Sequence, residues 1–149
     1  MKPIRTWILI ADGARARIVA NTGPGRGVEQ IDNLDFRGDS RPTRDLDDDR
    51  PGRTFSSAGP GSHALEPPDD AHDQHKRNFQ RKIADFLHNA LESGSYDRLV
   101  IVAAPRALGD LRPALSSAVS DKISAELPKD LTHVRNDELA PYLADVLAV

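Results

Sequence analysis

Arg98-Leu99-Val100-Ile101-Val102-Ala103-Ala104 is the stretch on which the fold turns. Everything after Arg98 is apolar, three positions are β-branched, and Pro105 closes the run. A strand with no polar alternation is covered on both faces, the pattern of a central parallel strand in an α/β sheet. Immediately upstream, Phe79, Ile83, Phe86, Leu87, Ala90 and Leu91 recur at helical spacing, predicting a helix over residues 75–91 that stops at Gly94. Further upstream, residues 6–11 form a buried-strand run, Asp12-Gly13 is a hairpin signal, and residues 14–20 continue as a second strand. In that strand Arg15 and Arg17 share one face, while Ala14, Ala16 and Ile18 share the other. A Gly-rich turn at residues 21–27 leads to a third strand over residues 28–34, with Val28, Gln30, Asp32 and Leu34 on one face.

Downstream of Pro105, Asp110 is placed to cap a short helix carrying Leu111 and Leu115, with Pro113 in its first turn. Residues 122–127 alternate Ile123, Ala125 and Leu127 with polar neighbours; an edge strand and a helix are both open there. Asn136 or Asp137 caps a last helix that turns Leu139, Leu143, Val146 and Leu147 inward. The order β-β-β-α-β-α-β-α matches a mixed five-stranded α/β sheet with helices packed on it, as in ribonuclease-H-like domains. That is a statement of topology and not of function.

The chain has 149 residues, the length of one domain with a real core, and a net charge of −3. Residues 36–77 hold 7 basic and 9 acidic side chains, so charge is mixed and a broad phosphate-binding footprint is not supported. There is no cysteine, which excludes disulfides, thiolate metal sites and cysteine nucleophiles. The apolar run at residues 7–11 meets Asp12 too soon for a signal peptide, and no stretch approaches the ~20 apolar residues of a membrane helix. The expectation is a cytoplasmic protein without membrane insertion.

Residues 36–74 have no sustained periodicity and are punctuated by Pro42, Pro51, Pro60, Pro67 and Pro68. A flexible loop that long after the third strand is uncommon in a compact domain and points to function or disorder. Within it Arg41, Arg44, Arg50 and Arg53 are mixed with Asp39, Asp45, Asp47, Asp48 and Asp49, the pattern of a self-neutralising solvated segment.

Seven segments, in order, resemble the bacterial host attachment protein family, described as proteins required for attachment to host cells. They are Asp12-Gly13-Ala14-Arg15-Ala16-Arg17-Ile18; Asp49-Arg50-Pro51-Gly52-Arg53-Thr54-Phe55; His63-Ala64-Leu65-Glu66-Pro67; and His72 with Lys76 and Phe79. Tyr96-Asp97-Arg98-Leu99-Val100, the run from Ala103 to Arg112, and Lys129-Asp130-Leu131-Thr132 complete the set. The chain departs from the family pattern at Asp70-Ala71-His72, where Asp-Pro-His is expected, and at Ser56-Ser57, where Asp-Ser is expected. The family is similar in turn to the middle domain of archaeal and eukaryotic translation release factors, whose loop after the third strand carries Gly-Gly-Gln. Here that loop reads Gly59-Pro60-Gly61-Ser62-His63, and the nearest glutamines are Gln74 and Gln80. The first resemblance implies a binding role that supports attachment. The second implies a ribosome or tRNA contact without the release chemistry.

His63, His72 and His75, with Asp69, Asp70 and Asp73, are the most metal-like grouping, since imidazole and carboxylate suit divalent ions. The simpler reading makes Asp73 a helix cap, so no metal is assigned and His72 and His75 stand as weak candidates. A nuclease of ribonuclease-H type needs converging carboxylates, yet the central strand carries none and Asp12 sits in a turn. No Ser-His-Asp set is readable. Arg106 and Arg112 are expected to flank the start of the helix after the central strand, where anions and RNA backbone are favoured. The candidate binding residues are thus Arg50, Arg53, His63, His72, Arg106 and Arg112; no catalytic residue and no cofactor is assigned, and the partner is a protein or a ribosome or RNA. Oligomeric state is not encoded in any motif of the chain.

Overall fold

The computed structural model describes residues 4–38 and 71–147. Arg50, Arg53, His63 and most of the segment expected as a long loop fall outside them. Five strands make one sheet in the order β3-β2-β1-β4-β5: β1 Thr6–Ala11, β2 Arg15–Asn21, β3 Glu29–Arg37, β4 Arg98–Ala103 and β5 Ile123–Leu127. β1, β2 and β3 are antiparallel neighbours, whereas β4 runs parallel to both β1 and β5. The α/β order expected from the sequence is therefore present, and residues 122–127 resolve as an edge strand.

Layering follows from side-chain alternation. On one face Trp7, Leu9, Ala11, Ile18, Leu99 and Ile101 pack under helix α1, Ala71–Glu92. On the other, Ile8, Ile10, Val19, Val100 and Val102 lie under Leu131, Leu139 and Leu143 of the C-terminal segment. β1 and β4 are covered on both sides, which is why neither shows a polar alternation. Trp7 anchors the first layer, stacked 4.8 Å from Tyr96 and 6.1 Å from Phe86.

Several expected boundaries move. The third strand runs to Arg37 rather than Leu34 because its pairing slips: Arg17 faces Asp35 but Val19 faces Gln30, so β3 carries extra residues in a bulge. The bulge also splits the expected face, with Leu34 joining the helix-covered core and Val28 the other. α1 begins at Ala71, four residues before the expected start, so Asp73 lies inside its first turn and is not its cap. Its C-terminus does follow the sequence: Gly94, at φ +75°, donates to the Leu91 carbonyl and Ser95 to that of Ala90, a Schellman closure.

Pro105 ends the strand and also begins the next helix, α2 Pro105–Leu111, because its fixed φ suits a first helical position. Asp110 is thus near the end of α2 and not its cap, and Pro113 is the second residue of a following 3₁₀ turn, Arg112–Ala114. A one-turn helix the sequence did not announce, α3 Ser117–Ser120, is capped by the Ser116 hydroxyl. The expected last helix is a 3₁₀ turn, Asn136–Glu138, followed by α4 Ala140–Leu143. Its inward leucines are placed as expected, but Asn136 is occupied elsewhere. Among the described residues no helix is long and apolar enough to cross a membrane.

Candidate functional site

β1 and β4 lie side by side and point the same way, but they exit differently. β1 turns back through a hairpin into β2, while β4 passes through α2 to β5 on the opposite flank. Connections that diverge at the carboxyl ends of neighbouring parallel strands leave a crevice, the usual ligand position in open α/β sheets. A cleft of about 340 Å³ opens there.

Its first wall is the hairpin turn. The Asp12 amide donates to the Arg15 carbonyl (2.9 Å), and Asp12 Oδ1 accepts the amides of Ala14 (2.8 Å) and Arg15 (2.7 Å). The central residues are therefore Gly13 and Ala14, one position later than the Asp-Gly signal indicates. Lys76 lies across this turn: a Cβ built on Gly13 would sit 3.1 Å from Lys76 Cδ.

The second wall is α1, where Asp73, Lys76 and Gln80 follow one another at i, i+3 and i+7 along one stripe. Gln80 is fully buried; its Nε2 donates to the Asp12 carbonyl at 2.8 Å, and its Oε1 has no partner. Lys76 is exposed at the mouth and has no ion-pair partner among the described residues.

The third wall is α2. Ala104 and Ala107 supply methyl surface. Arg106 pairs with Asp73 through Nη2 (3.1 Å) and approaches Asp110 Oδ2 with Nε at 3.7 Å, beyond hydrogen-bond reach. Asp110 Oδ2 is buried and accepts no hydrogen bond. Among the described residues, Gln80 Oε1 and Asp110 Oδ2 are the two buried side-chain polar atoms left without a partner; Asp110 lines the cleft, whereas Gln80 lies buried behind it against the Asp12 carbonyl.

Behind the cleft, the C-terminal segment is pinned to the far face of the sheet by Arg17. Its guanidinium donates to Asn136 Oδ1 (2.9 Å), the Thr132 carbonyl (3.0 Å) and the Val134 carbonyl. Burial pushes the Arg17 guanidinium below its ordinary proton affinity, with Asp35 working against the shift. Asp12 Oδ2 reaches the same segment, 3.3 Å from the Thr132 hydroxyl, whose shorter bond is to Asp130. Burial opposes the charged form of Asp130, but bonds from the Thr132 hydroxyl and amide, with His133 and Arg15 nearby, outweigh it and hold its carboxyl below the usual range.

A family model described as "Protein required for attachment to host cells" matches residues 7–143. The chain belongs to the host attachment family. A search of curated proteins finds no match. The matched span takes in both strands that end at the cleft, all three of its walls and the C-terminal segment that Arg17 holds.

In this host attachment family member Arg50, Arg53 and His63 lie outside the described residues, and of the others Arg106 and Arg112 are not brought together. His72 and His75 are exposed on the first turns of α1, and among the described residues no group of three or more His, Asp or Glu side chains is placed to hold a metal. Arg106 is in the first turn of α2, but Arg112 is at the other end, where its Nε (3.1 Å) and Nη2 (2.6 Å) both donate to Oε1 of Glu126 in β5. The two arginines therefore do not flank one helix start, and each already has an acidic partner.

Lys76 and Asp110, which line the cleft, and Gln80, buried behind its hairpin wall, were passed over as functional in the sequence. The available signal was Gln80, a polar side chain on the buried stripe of an amphipathic helix. One other feature resembles a site but is structural. His88 Nδ1 lies 2.9 Å from Ser116 Oγ and its Nε2 lies 3.5 Å from Glu92, a nucleophile-imidazole-carboxylate order. Yet Ser116 Oγ caps α3 by accepting the Val119 amide, and the Glu92 side chain is 69% exposed. A larger cleft of about 440 Å³ lies at the opposite end of β1, among Arg5, Trp7, Thr22, Glu29 and Ser95, away from the strand carboxyl ends.

Proposed function

We propose that this member of the host attachment family is a non-enzymatic binding protein that supports attachment to host cells indirectly, from the cytoplasm. The observation that carries the reading is the family match over residues 7–143. The state of Asp12 supports the non-enzymatic part. It is the one acid at the carboxyl end of β1, where a ribonuclease-H-type centre would need a free carboxylate. Its Oδ1 instead holds two turn amides, and its Oδ2 faces Thr132 and Arg15. Contact surfaces in this reading are the segment bearing Arg50, Arg53 and His63, together with His72, Arg106 and Arg112.

A second reading is a ribosome- or tRNA-associated factor. The strand order β3-β2-β1-β4-β5 supports a ribonuclease-H-like topology over the whole chain as one domain, and residues 39–70 enter between β3 and α1, the place of the working loop in release factors. Sedimentation of cell lysate separates the two. Migration at the top of a sucrose gradient, with loss of attachment in a deletion strain, supports the first. Co-migration with ribosomal particles that is lost on removing residues 50–70 supports the second. Recovery of the native protein mainly on the cell surface refutes the cytoplasmic, indirect role.

A further inference from the structure

We propose that the cleft at the amino end of β1, beside Trp7, binds a small organic monocarboxylate. The inference does not rest on the attachment reading. The cleft follows from strand register. Trp7 stands directly opposite Ala20, and Ala20 directly opposite Glu29, so the three side chains form one row on one face of β1, β2 and β3. Trp7 and Glu29 are then two strand spacings apart, about 10 Å, with a single methyl group between them. Ala20 does not fill that width, and a cleft of about 440 Å³ opens there. Ile31 adds to its apolar floor, and Arg5, Thr22 and Ser95 stand around it.

Two groups that can only donate line this cleft, and neither has the acceptor it needs. The Trp7 indole is 5% exposed, and Tyr96 and Phe86 stack on it and fix its direction. Its N–H donates to no acceptor among the described residues, although a buried indole usually finds one. That N–H is not among the enclosed polar atoms either, so the edge carrying it reaches the surface, at the cleft that Trp7 lines. Arg5 lines the same cleft. Its Nη1 meets the Ser95 carbonyl only at 3.5 Å, and among the described residues no carboxylate pairs with its guanidinium. Indole and guanidinium have no acceptor capacity, so what the cleft lacks is an accessible acceptor. A carboxylate matches the planar fork of Arg5 and leaves an oxygen for the indole N–H. Glu29, exposed on the far side, balances Arg5 and disfavours any ligand with more than one negative charge. Ala20 and Ile31 leave the rest of the ligand an apolar floor, and the volume is that of a site for a small molecule.

Trp7 is the only tryptophan of the chain, so its one indole ¹H–¹⁵N cross-peak and its fluorescence report on this cleft directly. The test is titration of the purified full chain with three probes: isocaproate, its neutral amide isocaproamide, and inorganic phosphate. The expected result is a saturable shift of the indole cross-peak with isocaproate. The amide, which lacks the charge, and phosphate, which carries more of it, should each bind about tenfold more weakly or worse, since charge-assisted bonds are the strong ones. Arg5→Gln should weaken isocaproate binding by about tenfold for the same reason. Glu29→Gln removes a like charge at the same shape and should tighten it. Both side chains are exposed, and an unchanged amide spectrum outside the cleft separates an effect on binding from an effect on folding. Absence of a saturable indole shift with isocaproate overturns the proposal. So does equal binding of the amide or of phosphate, binding that survives Arg5→Gln, or weakening by Glu29→Gln. Because the readout is ligand binding in vitro, failure here leaves the attachment reading intact, and failure of that reading leaves this one intact.

Discussion

Replacing Arg17 by Ala tests the most consequential polar anchor in the fold. Arg17 is on β2, and its guanidinium donates to the carbonyls of Thr132 and Val134 and to Asn136 Oδ1, while Asn136 in turn donates to Gln30 of β3. The segment it holds has little regular structure of its own: one 3₁₀ turn and one four-residue helix. Its apolar contribution is Leu131, Leu139 and Leu143, buried over Ile8, Ile10 and Val100. Hydrogen bonds from a charged donor are worth roughly 1.5–3 kcal/mol each. Three of them give a gross loss of about 4.5–9 kcal/mol, which the recovered hydration of a half-buried charge and of two carbonyls reduces. The expected net destabilisation is about 2–4 kcal/mol, a large share of the roughly 5–15 kcal/mol that holds a domain together.

Urea denaturation should show that loss, and hydrogen exchange should localise it. The amides of Val134 and Leu143, which donate to the Leu131 and Leu139 carbonyls, should exchange faster. At ~1.4 kcal/mol per decade the predicted acceleration is about 30- to 1,000-fold. Amides of β1 and β4 should change less. Arg17→Lys should recover only a small part, because a compact ammonium lacks the planar fork that reaches three acceptors at once. A loss below about 0.5 kcal/mol, the size of an ordinary surface substitution, with unchanged exchange at Val134 and Leu143, would refute the anchor argument.

Tyr96 is buried and donates to the Leu87 carbonyl at 2.7 Å, and burial pushes its phenol from 10.0 up to about 12. A raised folded value favours the protonated form, so this stabilisation is intact below pH 10 and is lost as pH climbs towards 12; Tyr96→Phe should flatten that alkaline limb in thermal melts and cost about 1 kcal/mol at neutral pH. Gly94→Ala puts a side chain at φ +75° in the Schellman turn and should cost about 1–2 kcal/mol by urea denaturation. Gly13→Ala brings its new Cβ only against the flexible stem of Lys76, 3.1 Å from Cδ, so stability should stay within about 0.5 kcal/mol while the Lys76 side-chain resonances shift. Asp12→Asn keeps an oxygen for the two turn amides and should melt near wild type, whereas Asp12→Ala should lose about 1–2 kcal/mol; equal melting of the two variants would remove the turn role assigned to Asp12.

How much of this was legible depended on whether the signal was local. Residues 99–103 and 7–11 read correctly because burial on both faces leaves an unbroken apolar run, and that is visible in one dimension. The end of α1 read correctly because Gly94 alone determines it. The third strand misread because its bulge is imposed by pairing with β2, so its period-2 pattern breaks without any residue announcing it. The helix after β4 misread because Pro105 has two compatible roles, stopping a strand and starting a helix, and only the chain path chooses. The expectation that Arg106 and Arg112 flank one helix start failed for a related reason: once α2 starts at Pro105, they fall at its opposite ends and meet different acids, Asp73 and Glu126.

The cleft was invisible for a different reason. Its residues come from three places, 12–14, Lys76 and 104–110, and no spacing links them. What brings them together is the way the two central strands leave the sheet, and that follows from strand order. Asp12 then carries several jobs at once: its Oδ1 shapes the turn, its carbonyl holds Gln80 on the helix side, and its Oδ2 faces Thr132 on the other. An acid with so many structural partners is a reference point for the fold, because it fixes the relative positions of the hairpin, α1 and the C-terminal segment. Rigid surroundings of this kind are what a binding site requires, since a preorganised cleft loses less freedom when its ligand arrives. The same contacts that engage both Asp12 oxygens therefore also hold the walls of the neighbouring cleft in place.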